Sequence, residues 1–120
     1  MKTSIVTVVL AVVSINLVHG KGFVTGDKLT RQAEAWSRVQ ESDRATVNDQ
    51  TDAAAFEGYI EGAVEGGEGR DWCLPSGVEA GAIFGQAANF IARHPEVKNE
   101  SGYAILQDAF TDRWPCSRRE

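Results

Sequence analysis

The run DWCLPSGVEAGAIFGQAANFIARHP, residues 71–95, decides how the chain is read. It sets a tryptophan and a cysteine beside a Pro-Ser-Gly break, then places Val78, Ile83, Ala87, Phe90 and Ile91 at helical spacing up to His94 and Pro95. That period predicts a helix, and Pro95 stops it because proline lacks an N–H and crowds the preceding turn. Ser76 stands three residues ahead of Glu79, the spacing of a capping box, so the helix is expected to start there. As the longest and most apolar element it is expected to sit at the centre of the core. The remaining question is Cys73: nucleophile, metal ligand or half of a covalent tie.

Working outward, the same period recurs. Leu29, Ala33, Trp36 and Val39 mark an amphipathic helix over residues 27–42, behind an irregular lead-in at 22–26. The stretch ESDRATVNDQTD, residues 41–52, is rich in side chains that compete with the backbone for hydrogen bonds and reads as a connection. From Asp52 onward, Ala53, Phe56, Ile60, Ala63 and Val64 carry a second helix to Gly66 and Gly67. Inside it Gly58, Gly62 and Gly66 recur every fourth residue, and each interior glycine costs about 1 kcal/mol of helix propensity. Either a neighbouring backbone packs closely against that stripe in return, or the pattern is accidental. GGEGRDWCLP, residues 66–75, is a loop that is either a connector or a binding finger. A last amphipathic segment, 101–114, presents Leu106, Ala109 and Phe110. No part of the chain beyond residue 20 alternates with period two, so the predicted fold is all-α, a small bundle of four or five helices stapled by one disulfide.

The N-terminus has the order of a secretory signal peptide: one charge at Lys2, an apolar run at 5–13, then Val18-His19-Gly20. The expected division is a signal peptide over 1–20 and one helical domain over 21–120, with no stable membrane insertion after cleavage. Removal of residues 1–20 takes one of the twelve basic residues and none of the seventeen acidic ones, so the exported 100 residues carry a net charge of −6. That balance, with no lysine or arginine cluster, argues against nucleic acid and against anionic membrane surfaces. A basic protein partner fits it. The two cysteines, Cys73 and Cys116, both lie in the exported part, where an even count reads as a disulfide.

Chemistry is harder to assemble. The exported part holds one histidine, His94, placed where a helix C-terminus accounts for it. Two cysteines and one widely spaced histidine fall short of a zinc set, and no cofactor is expected. Glu57, Glu61 and Glu65 lie four apart and read first as a solvated acidic face, then as a patch for a basic protein surface, and only third as paired catalytic carboxylates. Trp36 and Trp114 sit on apolar faces and are expected in the core. Trp72, in the glycine-rich loop, either covers the disulfide or is an exposed anchor for a partner.

Taken in order, FEGYIEGAVEG (56–66), WCLPSGVEAGAI (72–83), ARHPE (92–96) and AFTDRWPC (109–116) resemble the Rap/Tai family of immunity proteins. Gly58, Tyr59 and Gly62 match the family's GYxxG core, Cys73 and Pro75 its CxP, His94 and Pro95 its helix end, and Pro115 and Cys116 its closing pair. The resemblance implies fold-defining rather than catalytic roles for these positions. Where many relatives carry a further cysteine this chain has Phe56, so a one-disulfide version is expected.

The resemblance further implies a periplasmic protein, often a homodimer, that binds and inactivates a peptidoglycan amidase toxin delivered by type VI secretion and catalyses nothing itself. Glu65, Glu68, Arg70, Asp71 and Trp72 are the expected partner contacts, on a loop held at one end by Cys73. The alternative is a small periplasmic stress or chaperone-like interaction protein of the same fold with no toxin partner. A hydrolase built on Glu57 and Glu61 is the third reading.

Overall fold

A computed structural model describes residues 22–117. The expected signal peptide lies outside them. The order of elements is α1 (Gly26–Glu41), α2 (Val47–Gly67), α3 (Ala80–Arg93), a 3-10 helix (Pro95–Asn99) and α4 (Gly102–Arg113), with one disulfide and, among the described residues, no strand. The all-α bundle expected from the sequence is therefore the observed architecture.

Helix α1 starts where Thr25 Oγ1 accepts the Lys28 N–H at 3.2 Å. The lead-in ahead of it is less irregular than expected. Thr25 pairs with Ser101, the Gly26 N–H donates to the Glu100 carbonyl at 2.7 Å, and the Gly102 N–H donates to the Val24 carbonyl at 2.8 Å. Gly26 is buried by this pairing, and a Cβ there would overlap the Val97 carbonyl oxygen, so the close approach requires glycine.

Helix α2 starts at Val47 rather than Asp52, so half of the stretch read as a connection is helical. The reason is local. Thr46 Oγ1 accepts the Asp49 N–H at 3.1 Å while the Asp49 carboxylate accepts the Thr46 N–H at 3.2 Å, a closed capping box. The polar side chains that compete with the backbone do so at the helix start, where donors are free. Arg38 of α1 then holds Asp49 at 2.9 Å. With 21 residues α2 is the longest helix; α3, expected to be, has 14.

The glycine stripe is decided in favour of an accidental pattern, and the expected start of α3 is corrected. Around Gly58, Gly62 and Gly66 a Cβ would meet nothing within 4 Å, so no backbone packs on the stripe; it faces solvent. Helix α3 begins at Ala80 with Glu79 as N-cap and no side-chain cap, so Ser76 and Glu79 form no capping box. Ser76 and Gly77 instead turn the chain, with Gly77 at φ +80°, a conformation that suits a residue without a Cβ.

The core joins Leu29 of α1, Phe56 and Ile60 of α2, Ile105, Leu106 and Phe110 of α4, and Trp72 from the loop, all fully buried. Helix α3 adds Ile83, Phe84, Ala87, Phe90 and Ile91, and Gln86 ties it to α4 by donating to the Ala109 carbonyl at 2.8 Å. Trp36 packs beside Phe56 and Phe84 and donates Nε1–H to Glu57 at 2.9 Å, while Trp114 lies buried against Phe110. Cys73 and Cys116 are bonded, with Cα atoms 4.8 Å apart, and the Cys73 N–H donates to the Trp114 carbonyl at 2.9 Å beside them. The loop before α3 is thus fixed to the tail after α4, as the cysteine placement predicts.

Candidate partner-binding surface

The loop that leaves α2 is a tight turn rather than a long finger. At its root Gly67 is the last helical residue, and a Cβ there would come within 2.5 Å of the Trp72 ring and 2.8 Å of the Tyr103 hydroxyl. The turn can close only over a residue with no side chain. Glu68 then caps the helix with its N–H on the Val64 carbonyl, and Gly69 takes φ +79°. The Asp71 N–H donates to the Gly67 carbonyl at 2.8 Å and the Gly69 N–H to the Trp72 carbonyl at 2.8 Å, so the turn satisfies much of its own backbone.

Side chains fix it further. The Tyr103 hydroxyl of α4 donates to Asp71 Oδ2 at 2.5 Å, and the Arg70 guanidinium lies 3.0 Å from the same oxygen. Hydrogen bonding from Arg70, then from Tyr103, holds the Asp71 carboxyl below its ordinary value. Burial, with the Asp71 carboxylate adding to it, pushes the Tyr103 phenol up. The Glu68 carboxylate accepts the Leu74 N–H at 3.1 Å, closing the turn from its other side.

The expected partner contacts therefore separate. Glu65 is exposed on α2 itself, not in the loop, and Glu68 and Arg70 are exposed on the turn. The Asp71 side chain keeps 18% of its surface and is occupied by Tyr103 and Arg70. Trp72 is a correction: it is 0% exposed, its ring 5.2 Å from Phe110 and 5.8 Å from Tyr103, so it offers a partner no surface. It anchors the turn from beneath, and its Nε1–H meets no acceptor among the described residues.

The other expected positions are scattered through the fold. Gly58 and Gly62 face solvent, whereas Tyr59 is half-buried against the core and burial raises its phenol. Pro75 is exposed beyond Leu74, and its carbonyl accepts the Val78 N–H at 3.3 Å. His94 ends α3, stacks on Phe90 at 4.2 Å and sets Nδ1 3.1 Å from Glu96; Pro95 opens the 3-10 helix. Pro115 leads into Cys116. Glu61 and Glu65 are exposed, but Glu57 is partly buried by its bond to Trp36. Among the described residues no three histidine, cysteine or acidic side chains gather as a metal site requires. No helix among them is long and apolar enough to cross a membrane.

Tyr103 and Gly67 are the residues whose place in the turn the sequence conceals. Tyr103 is 32 positions from Asp71, beyond the reach of any local pattern. The doubled glycine at 66 and 67 is a signal for a turn, though not for which glycine is crowded.

These features define a small disulfide-tied helical domain with a rigid polar turn on its surface. A model of the Rap1a immunity proteins matches residues 25–116, from the cap of α1 to the second cysteine of the disulfide. The chain belongs to the Rap1a immunity protein family. The match also takes in α1, which the quoted motifs, starting at Phe56, do not reach. Searches of curated proteins and of solved structures returned no match.

Proposed function

We propose that this immunity protein is a non-catalytic inhibitor that works in the periplasm, binding a peptidoglycan amidase toxin delivered by type VI secretion and blocking its substrate cleft. The family match over the whole helical domain carries this reading. The disulfide agrees with an oxidising compartment, as does a leader-like N-terminus in the sequence.

The turn from Glu68 to Asp71 is the contact this reading favours, flanked by Glu65. It protrudes where α2 ends, and Gly67, Trp72, Tyr103 and the disulfide fix it, so little conformational freedom is lost on binding. Exposed carboxylates and the Arg70 guanidinium supply charge-assisted hydrogen bonds that select one partner over another.

The test is co-expression with periplasmically targeted amidases of this toxin class. Protection of the cells, and a stable complex with the protecting partner, is the expected result. Continued lysis with every amidase at equal expression would count against inhibition. Arg70→Glu is expected to abolish protection while lowering the thermal midpoint only slightly, because the pair it breaks with Asp71 is largely exposed on the Arg70 side.

A further inference from the structure

A notch of about 260 Å³ opens between α1 and the end of α3. Ala33, Ala88 and Ile91, each nearly buried, make its floor, with Ala92 exposed at its edge. It exists because small side chains meet where the helices cross. Its walls carry opposite charges: Glu34 stands on α1 and Lys98 on the 3-10 helix. None of its lining residues belongs to the turn at 68–75, so it is a separate place from the partner-binding surface.

Neither charge is spent within the domain. Among the described residues Glu34 and Lys98 take part in no ion pair, with each other or with a third group. Arg38, one turn along α1 from Glu34, is held by Asp49 at 2.9 Å, and Glu96, close to Lys98 in the chain, lies 3.1 Å from His94. An anion on one wall and a cation on the other, above an apolar floor, complement a small molecule that has charges of both signs and an apolar body. A simple amine, carboxylate or hydrocarbon would satisfy one of these features and leave the others unmatched.

We infer that the notch binds a small zwitterion with an apolar side chain, an amino acid or a dipeptide, its ammonium on Glu34, its carboxylate on Lys98 and its side chain over Ala33, Ala88 and Ile91. Size agrees. An apolar cavity of about 150 Å³ holds benzene, so the notch has room for a molecule the size of leucine. An occupant that bridges the walls ties α1 to the 3-10 helix, and Glu100, just beyond that helix, already bonds Gly26 at the start of α1. Binding to the folded state alone raises the thermal midpoint. The site does not depend on the toxin reading.

The full sequence is expressed with isotope label, and the exported product is purified and titrated with leucine and with alanyl-alanine under NMR observation. Saturable shifts of the Ala88, Ile91 and Ala92 methyls are expected, with a Kd of about 1 mM for the better-fitting of the two. Isoamylamine, which is leucine without its carboxylate, and isocaproate, which is leucine without its ammonium, should each bind at least about fivefold more weakly than leucine. Glu34→Gln should erase the advantage of leucine over isocaproate, and Lys98→Met its advantage over isoamylamine. Ala92→Trp, which plugs the notch from an exposed helix position, should abolish both the shifts and the rise in thermal midpoint without changing the circular dichroism melt of the free protein. No saturable shift up to about 100 mM ligand, equal binding of leucine and either truncated analogue, or shifts that survive Ala92→Trp would each overturn the inference.

Discussion

The Tyr103 hydroxyl reaches Asp71 Oδ2 at 2.5 Å, and through that bond α4 holds the turn that follows α2. The helix lays its phenol under the turn at the one place where Gly67 leaves room.

Acid should loosen this contact. Arg70 and Tyr103 lower the Asp71 carboxyl below its ordinary 3.8, so the unfolded chain binds the proton more readily than the folded one. The resulting stability is present above the ordinary value and is lost as pH falls through the lowered one. Asp49, held down by Arg38, and Glu96 act in the same direction. Tyr103→Phe is expected to lower the urea midpoint at neutral pH and to flatten, not abolish, its fall below about pH 4. The phenols reverse the sign: burial raises Tyr59 and Tyr103, so their contribution is present below 10 and lost as pH climbs through the raised values. Denaturation curves of both proteins across pH check this.

Two glycines of α2 should respond oppositely to alanine. At Gly67 the added methyl meets the Trp72 ring at 2.5 Å, and Gly67→Ala is expected to destabilise by about 2 kcal/mol. At Gly62 it meets nothing within 4 Å, and Gly62→Ala should stabilise by about 1 kcal/mol through helix propensity. Equilibrium unfolding of the pair decides it.

Thr46 carries the start of α2. Thr46→Ala removes the acceptor for the Asp49 N–H and should cost about 1 kcal/mol, with Thr46→Ser close to wild type. Chemical denaturation of the two variants measures the difference.

The bond between Cys73 and Cys116 spans a separation of 43 residues, which corresponds to about 4 kcal/mol on a chain-entropy estimate. The double variant Cys73→Ser, Cys116→Ser should melt well below the oxidised protein, and reductant should lower the wild-type midpoint alone. Calorimetry with and without reductant reads both effects.

How far the sequence carries the structure depends on the range of the signal. Helical period, the stop at Pro95 and the paired cysteines are local or countable, and all appear in the fold. Ser76 and Glu79 have the spacing of a capping box, but the box lies at Thr46 and Asp49, because spacing alone does not say which serine or threonine has free helix N–H groups in front of it. The glycine stripe suggests a close neighbour, yet the crowded glycines are Gly26, Gly67 and Gly102, each meeting atoms distant in the chain. Trp72 reads from the sequence as a cover for the disulfide or as an exposed anchor, and Tyr103 and Phe110, far along the sequence, place it in the core.

The pairing of Thr25 with Ser101 has a consequence for the order of assembly. A chain that emerges N-terminus first from a ribosome or a translocation pore presents α1 early, but the root of that helix has no docking place until Glu100 to Gly102 follow. Neighbouring α1 and α2 can meet at once as a hairpin, whereas final closure brings together the two ends of the domain and bears the entropy of its largest loop. Such a domain completes its fold only once α4 is in place, and a truncation that removes α4 should leave the first helix tethered at one side and unseated at its start.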